Sequence, residues 1–213
     1  MSTPASRLMG NPLFSRIYQD IWRPVFTRAF SHGSTETADY DKALRAYLSR
    51  PGERLVLDVA CGPGNYTGQI ADGLTGDGRV IGVDFSSAML RTALATNRSP
   101  RAAYLRADAH VLPFPDNTFD QTLCLAALYL IPDPLPVLDE MVRVAAPGAE
   151  IVVFTSAAGP VSSIPGVGLF ARIGGFRIFG VDEIIDRLHR NGVRHVEQSL
   201  IGEGQYVLGS KPD

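Results

Sequence analysis

The feature that most constrains this chain is a regular alternation of short apolar runs with helical segments between residues 54 and 155. The runs have the length and composition of buried strands, and they cover residues 54–59, 79–84, 103–107, 119–125 and 150–155. Helices are predicted between them, over residues 66–73, 86–96 and from 133 onward. This alternation predicts an α/β fold, because right-handed crossovers place parallel strands between two layers of helices.

The segments on either side of the alternation have different patterns. Apolar residues recur at helical spacing over residues 13–49, which predicts two or three helices ahead of the core. Residues 156–180 are rich in Gly, Pro and Ser and predict a long loop. A helix over 182–190 precedes strands over 193–200 and 205–210, which form a hairpin. We expect one domain over 1–213, divided into a helical cap (1–49), a core (50–155), a loop (156–180) and a terminal helix with hairpin (181–213).

Composition narrows the classes of partner. The formal net charge of −2 argues against a nucleic-acid partner, because such binding needs clustered cationic side chains. Cys61 and Cys124 lie far apart and outside any C-x-x-C pair, which indicates reduced thiols in a cytoplasmic protein. Prolines and arginines interrupt the first thirty residues, so no secretory signal is expected. Every apolar run is also far shorter than the roughly 20 residues that a membrane span needs.

A glycine turn follows the first predicted strand, at residues 60–64 (ACGPG). An open parallel sheet has its ligand crevice at the carboxyl ends of the strands, where glycines let the backbone approach a ligand closely. A dinucleotide-binding turn needs a third glycine, but counting from Gly62 and Gly64 that place holds Thr67. This departure disfavours an NAD-dependent oxidoreductase, the alternative class of enzyme for such a turn.

Acidic residues accompany three successive predicted strands. Asp58 lies near the end of the first, Asp84 closes the second and Asp108 follows the third. A carboxylate in the place of Asp84 can accept both ribose hydroxyls of an adenosine, although it can also cap the following helix. A carboxylate in the place of Asp108 can accept the exocyclic amine of an adenine ring. Together these residues predict an adenosine site across the strand ends.

Two later stretches make the pattern more specific. They are residues 112–120 (LPFPDNTFD) and 140–154 (EMVRVAAPGAEIVVF). With the glycine turn and the acidic residues, they resemble class I S-adenosylmethionine (SAM) dependent methyltransferases, in particular the branch that acts in quinone biosynthesis and on small molecules. The resemblance covers about residues 50–213. It implies a Rossmann-like three-layer sandwich, with a helical cap at the N-terminus and a seven-stranded, mostly parallel sheet whose C-terminal strand is antiparallel.

The resemblance also implies which residues contact the cofactor. By analogy Asp84 holds the ribose, Phe85 and Met89 flank the adenine ring, and a tyrosine in the leading helices closes over the cofactor. The full implied set is Tyr18, Asp58, Ala60, Cys61, Gly62, Gly64, Asp84, Phe85, Met89, Asp108 and Ala109. In one departure from the family, the first glycine of the turn is Ala60, and we expect the single added methyl group to leave the site functional.

The expected reaction is methyl transfer from SAM to a small lipophilic or aromatic acceptor, with S-adenosylhomocysteine as product. Alignment of the reactants is the main requirement, and His110 and Tyr129, or Asp133, are the candidates for an assisting base. No metal site is expected. An apolar acceptor pocket is predicted between the leading helices and the 156–180 loop.

The residues predicted to line that pocket are Phe14, Ile17, Tyr18, Trp22, Phe26, Leu169, Phe170, Ile173 and Phe176. The alternative is a repurposed SAM-fold protein, such as a cyclase or a cofactor-binding regulator, because methyl transfer demands no signature residue of its own.

Overall fold

The computed structural model describes residues 35–173 and 175–213. Its elements, in chain order, are α1 (Thr35–Leu48), β1 (Leu55–Val59), α2 (Asn65–Gly73), β2 (Arg79–Asp84), α3 (Ser87–Thr96), β3 (Ala102–Arg106), β4 (Phe119–Leu125), a short 3-10 helix (Leu128–Leu130), α4 (Leu135–Val144), β5 (Ala145–Ser156), α5 (Val167–Ile173), α6 (Glu183–Arg190), β6 (Arg194–Ile201) and β7 (Gly204–Ser210).

Within the described residues these strands form one seven-stranded sheet of order β3-β2-β1-β4-β5-β7-β6. Strands β1 to β5 pair in parallel, whereas β7 is antiparallel to both β5 and β6. The predicted mostly parallel sheet with an antiparallel C-terminal strand is confirmed. The strand order reverses between β1 and β4, and this reversal is the position at which open α/β sheets bind their ligands.

Local sequence accounts for where the helices begin. Ser86 caps α3, because its hydroxyl accepts a hydrogen bond from the Met89 backbone amide at 3.3 Å. Pro134 stands just before α4, where the amide that it lacks has no helical partner. Apolar residues of α2 pack on one face of the sheet and those of α4 and α6 on the other. The central strands are therefore covered on both sides, as their near-continuous apolar sequences require.

The structure differs from the prediction most clearly in two places. β5 begins at Ala145, ahead of Pro147, because Ala145 already pairs with Phe119 of β4. The 156–180 loop contains α5, which the surrounding glycines and prolines concealed. Of the predicted helical cap, α1 lies within the described residues and residues 1–34 lie outside them.

The two sequence stretches that carried the family resemblance are bound to each other. The Glu140 carboxylate on α4 accepts the Leu112 amide at 2.7 Å. The Arg143 guanidinium donates to the carbonyls of Leu112 and Phe114 at 3.0 and 2.9 Å, and to Asp116 at 2.7 Å. A guanidinium carries several N–H donors in one plane, so it can bond several acceptors at once. These bonds fix the loop that follows β3.

No helix in residues 35–173 or 175–213 combines the length and the apolar composition that crossing a bilayer requires.

Candidate functional site

The chain leaves the sheet abruptly at the ends of β1 and β4. Ala60 and Ala126, the first residues beyond these strands, both have a φ of 55°. This left-handed conformation is unfavourable for any residue with a β-carbon, and it is concentrated at functional sites. The two turns lie on either side of the order reversal, where open α/β sheets have their ligand crevice.

The glycine turn forms the floor of this crevice. Cys61 donates its amide to the Val83 carbonyl at 2.9 Å, which holds the turn against the end of β2. Gly62 has a φ of 57°, and a β-carbon added to it would meet no atom within 4 Å, so this part of the backbone faces open space. Gly64, with a φ of 74°, is different, because a β-carbon there would lie 2.6 Å from the Tyr104 hydroxyl. One glycine leaves room for a ligand and the other allows close packing.

Asp58 is a buried carboxylate beneath the turn, with 2% of its surface exposed. The Thr67 hydroxyl of α2 donates to its Oδ2 at 2.6 Å. Burial raises the pKa of Asp58 to about 7, with a smaller contribution from the nearby negative charge of Asp84, while the Thr67 hydrogen bond opposes the shift. Thr67 occupies the place of the third glycine of a dinucleotide-binding turn. The Thr67 hydroxyl donates a hydrogen bond to the Asp58 carboxylate, which a glycine in this place could not do.

Asp84 connects the end of β2 to both neighbouring turns. Its Oδ2 accepts the Gly62 amide at 2.8 Å and its Oδ1 accepts the Ser86 amide at 2.7 Å. Burial raises the pKa of Asp84, and these two hydrogen bonds oppose that shift. The carboxylate thus stands at the edge of the glycine turn, and each of its oxygens keeps a further lone pair for a ligand hydroxyl.

Asp108 follows β3 and is held by His110. The Ala107 amide bonds to the Asp84 carbonyl at 3.3 Å, which keeps the ends of β2 and β3 together. Asp108 Oδ1 accepts the His110 amide at 3.0 Å and lies 2.7 Å from His110 Nδ1. The His110 amide and then its ring lower the pKa of Asp108. Burial alone would lower the pKa of His110, but its bonds to Asp108 and to the Pro132 carbonyl outweigh burial and raise it.

The residues expected around the adenine ring differ in exposure. Phe85 is 63% exposed beside Asp84, with the Arg106 guanidinium 5.4 Å from its ring centre. Met89 is 5% exposed and belongs to the buried face of α3. Ala109 is half-buried and packs against the core. Phe85 therefore offers an exposed aromatic ring with Arg106 near it, whereas Met89 belongs to the buried part of the site.

Tyr129 lies in the 3-10 helix beyond β4. Its ring stacks on Phe176 with centroids 6.1 Å apart, and its carbonyl accepts the Arg177 amide at 2.8 Å. The segment of residues 156–180, called the substrate segment below, thus reaches the end of β4. The ends of this segment are tied together, since the Ser156 hydroxyl donates to the Arg177 carbonyl at 2.7 Å.

Two residues that sequence analysis did not single out support the glycine turn. The Asn97 side-chain amide donates to the Gly64 carbonyl at 3.1 Å and to the Tyr104 hydroxyl at 2.8 Å. Burial raises the pKa of Tyr104 to about 12, so its hydroxyl stays protonated. Asn97 directly follows α3 and Tyr104 lies in β3, so only the fold brings them to the turn, and no local pattern signals their role.

Some predicted site residues fall outside the described chain. Tyr18 and the apolar residues of the predicted cap lie in residues 1–34. Among the residues described, no group of three His, Cys, Asp or Glu side chains comes together that could hold a metal ion.

Comparison with known proteins agrees with this geometry. The profile of a family described as a methyltransferase domain matches residues 56–148. The demethylmenaquinone methyltransferase of Bacillus licheniformis is 39% identical over 113 residues, which cover 53% of this chain and 48% of that protein. The chain thus matches about half the length of this curated relative.

Solved structures share the fold. A SAM-dependent methyltransferase from Aquifex aeolicus superimposes with a TM-score of 0.67 at 20% identity, covering 94% of this chain and 97% of that one. The [4+2]-cyclase SpnF superimposes with a TM-score of 0.68 at 19% identity, covering 83% and 82%.

The matched profile and the sheet agree with each other. Residues 56–148 are similar to a methyltransferase domain, and the seven-stranded sheet shares the fold of the SAM-dependent methyltransferase from Aquifex aeolicus. The sequence is similar to demethylmenaquinone methyltransferases, which agrees with the predicted resemblance to quinone-biosynthesis enzymes.

Ala60→Gly is expected to stabilise the protein. The left-handed conformation costs an alanine about 1 kcal/mol more than a glycine, so the free energy of unfolding should rise by about that amount. Urea unfolding of both proteins measures the difference. The matched control is Ala95→Gly, at an exposed site in α3, which should lower the free energy of unfolding by about 1 kcal/mol. Equal destabilisation by both substitutions would contradict the assigned backbone conformation.

Asp58→Asn is expected to change how stability depends on pH. The folded protein keeps the Asp58 proton up to about pH 7, whereas the ordinary pKa of an aspartate is 3.8, so stability falls as pH rises through this window. Asparagine has no proton to lose. The stability of the variant relative to wild type should therefore rise by on the order of 3 kcal/mol between pH 4 and pH 8.

Thermal unfolding across that pH range measures this difference, with Asp72→Asn on the exposed face of α2 as control. A difference that stays constant with pH would show that Asp58 titrates normally.

Proposed function

We propose that this protein binds SAM across the ends of β1, β2 and β3 and catalyses methyl transfer to a small lipophilic or aromatic acceptor. S-adenosylhomocysteine would be the second product. The observation that carries the proposal is the pairing of an open glycine turn at Gly62 with the carboxylate of Asp84 directly beside it. This arrangement fits an adenosine whose ribose lies on Asp84 and whose amino-acid end lies on the turn.

The residues present fit the cofactor at each end. The open space beside Gly62 leaves room for a ligand, and it supports binding of the methionine portion by Asp58, Ala60, Cys61 and the two glycines. The exposed ring of Phe85 and the exposed carboxylate of Asp108 support binding of the adenine face and edge. Met89 and Ala109 remain proposed contacts of the adenine ring, and Tyr18, outside the described residues, remains the residue expected to cover the cofactor.

The proposed domain organisation follows from the same arrangement. Residues 50–155 would bind the cofactor and residues 181–213 complete the sheet. The substrate segment and the predicted cap of residues 1–49, whose first 34 residues lie outside those described, are proposed to enclose the acceptor. Both cysteines in the described residues are free thiols, which supports a cytoplasmic location.

An aromatic or lipophilic acceptor is supported by two features. Tyr129 and Phe176 stack at the end of β4, and the substrate segment exposes Ile164 and Leu169 at 54% and 57%. Apolar walls of this kind suit an apolar ring better than a charged metabolite. The names of the relatives indicate a demethylated naphthoquinone as the first acceptor to test.

Alignment is the catalytic contribution that these residues can supply. When bound, SAM supplies a methyl group on a positively charged sulfur, which is already activated for displacement. The rigid glycine turn holds that end of the site in place, and the substrate segment with Tyr129 excludes water and orients the acceptor. Tyr129 is the residue proposed to contact the acceptor atom. His110 is the other candidate base, and its two ring nitrogens already lie against protein acceptors.

A repurposed protein of the same fold is the alternative. The likeness to the cyclase SpnF concerns the fold alone. Binding without methyl transfer would favour this reading.

Asp84→Ala should weaken SAM binding by about 100-fold, because it removes two charge-assisted hydrogen bonds to the ribose. Isothermal titration of wild type and variant with SAM measures this loss. Asp72→Ala, on the exposed face of α2, is the matched control and should bind as wild type does. Since Asp84 also accepts two backbone amides, circular dichroism of the variant must show an intact fold.

The same proteins should then be incubated with labelled SAM and a reduced 2-alkyl-1,4-naphthoquinone. Wild type should add one methyl group, detected by mass spectrometry, and Asp84→Ala should add none under the same conditions. Tight binding of SAM by wild type without transfer to any naphthoquinol, phenol or amine would overturn the proposed activity. Unchanged SAM binding by Asp84→Ala would instead overturn the assigned position of the ribose.

A further inference from the structure

The His110 ring joins two loops of the site. Its Nδ1 lies 2.7 Å from Asp108 Oδ1, on the loop after β3. Its Nε2 lies 2.8 Å from the Pro132 carbonyl oxygen and 3.1 Å from that of Asp133, in the turn before α4. The ring is 31% exposed, so it is fixed by these bonds rather than by burial.

The partners determine what the ring can do. A carboxylate and a carbonyl are hydrogen-bond acceptors, so each ring nitrogen has to donate a proton to its partner. A general base needs a nitrogen with a free lone pair, and this arrangement offers none. The geometry therefore favours a double donor that links the two loops.

The same bonds divide the oxygens of Asp108 between two tasks. Oδ1 accepts both the amide and the ring of His110. Oδ2 has no hydrogen-bond partner among the described residues, and the side chain is 56% exposed. A solvent-exposed carboxylate would otherwise rotate freely and would lose that freedom on binding a ligand.

We propose that His110 is a positioning residue that holds Asp108 by one oxygen, so that the other oxygen accepts the exocyclic amine of the adenine ring. This inference rests on the proposed function, since it takes SAM as the ligand. His110 contributes selectivity for adenine through Asp108. The Pro132 and Asp133 carbonyls hold the ring from its other side, so the adenine end of the crevice is braced against the turn beyond β4.

Two ligands and three variants test this role. S-adenosylhomocysteine carries the exocyclic amine, and S-inosylhomocysteine has a carbonyl oxygen in its place, which Asp108 would repel. The selectivity is the ratio of their dissociation constants, measured by isothermal titration. His110→Asn keeps a donor near the position of Nδ1, His110→Gln keeps one near the position of Nε2, and His110→Ala keeps neither.

Wild type should prefer S-adenosylhomocysteine by at least about 30-fold, as expected for a site built to bond an amine. His110→Ala and His110→Gln should each lower this preference by about tenfold, the value of one charge-assisted hydrogen bond. His110→Asn should restore it to within about twofold of wild type. In an Asp108→Ala background, His110→Ala should change the preference by less than about twofold, because the two residues act as a unit.

The control variant is His189→Gln, on the exposed end of α6, which should match wild type. If His110→Ala weakens both ligands equally, the residue has a merely structural role and the inference is overturned, while the proposed function stands. If His110→Asn loses the preference as His110→Ala does, the link through Nδ1 is overturned. If wild type binds neither ligand, both the inference and the proposed function fail.

Discussion

The site depends on one constraint, which is that the chain leaves β1 and β4 toward opposite faces of the same sheet. The apolar face of α2 packs with Val56 on one side, whereas α4 packs with Leu57 on the other. Neighbouring strands that diverge in this way leave a crevice between their ends, and the left-handed turns at Ala60 and Ala126 begin the divergence at once. Both left-handed residues are alanines and not glycines, so the fold tolerates backbone strain at the two positions where the chain leaves the sheet.

The acidic residues at this crevice have a structural task as well as a proposed ligand. Asp84 accepts amides from both adjoining turns, and Asp58 accepts the hydroxyl of Thr67. A carboxylate held by such bonds cannot turn away when a ligand arrives, so the cost of ordering it has already been met during folding. Thr67 illustrates the point. In the sequence it marks the absence of a dinucleotide-binding glycine, and in the structure it is the donor that a buried carboxylate requires.

The sequence predicted the fold closely, because strand and helix periods are local properties of short segments. It also predicted that Asp84 and Asp108 stand at neighbouring strand ends, which the topology now provides. It could not predict contacts between distant residues, such as Asn97 on the glycine turn, because nothing in the local pattern records them. Helix α5 was missed for a different reason, since seven residues among glycines and prolines make only about two turns, too short a stretch to reveal a period.

Because methyltransferases and a cyclase share this fold, the cofactor end of the crevice cannot by itself decide the reaction. In the proposed function the deciding part is the substrate segment, which contacts the 3-10 helix beyond β4. The buried carboxylate of Glu203, in the turn between β6 and β7, accepts the Val161 amide of this segment at 2.8 Å. Near its other end, Phe176 of the segment stacks on Tyr129. In the proposed methyl transfer, which needs alignment more than acid–base chemistry, a segment fixed at both ends would hold the acceptor in one orientation, and that orientation would select the product.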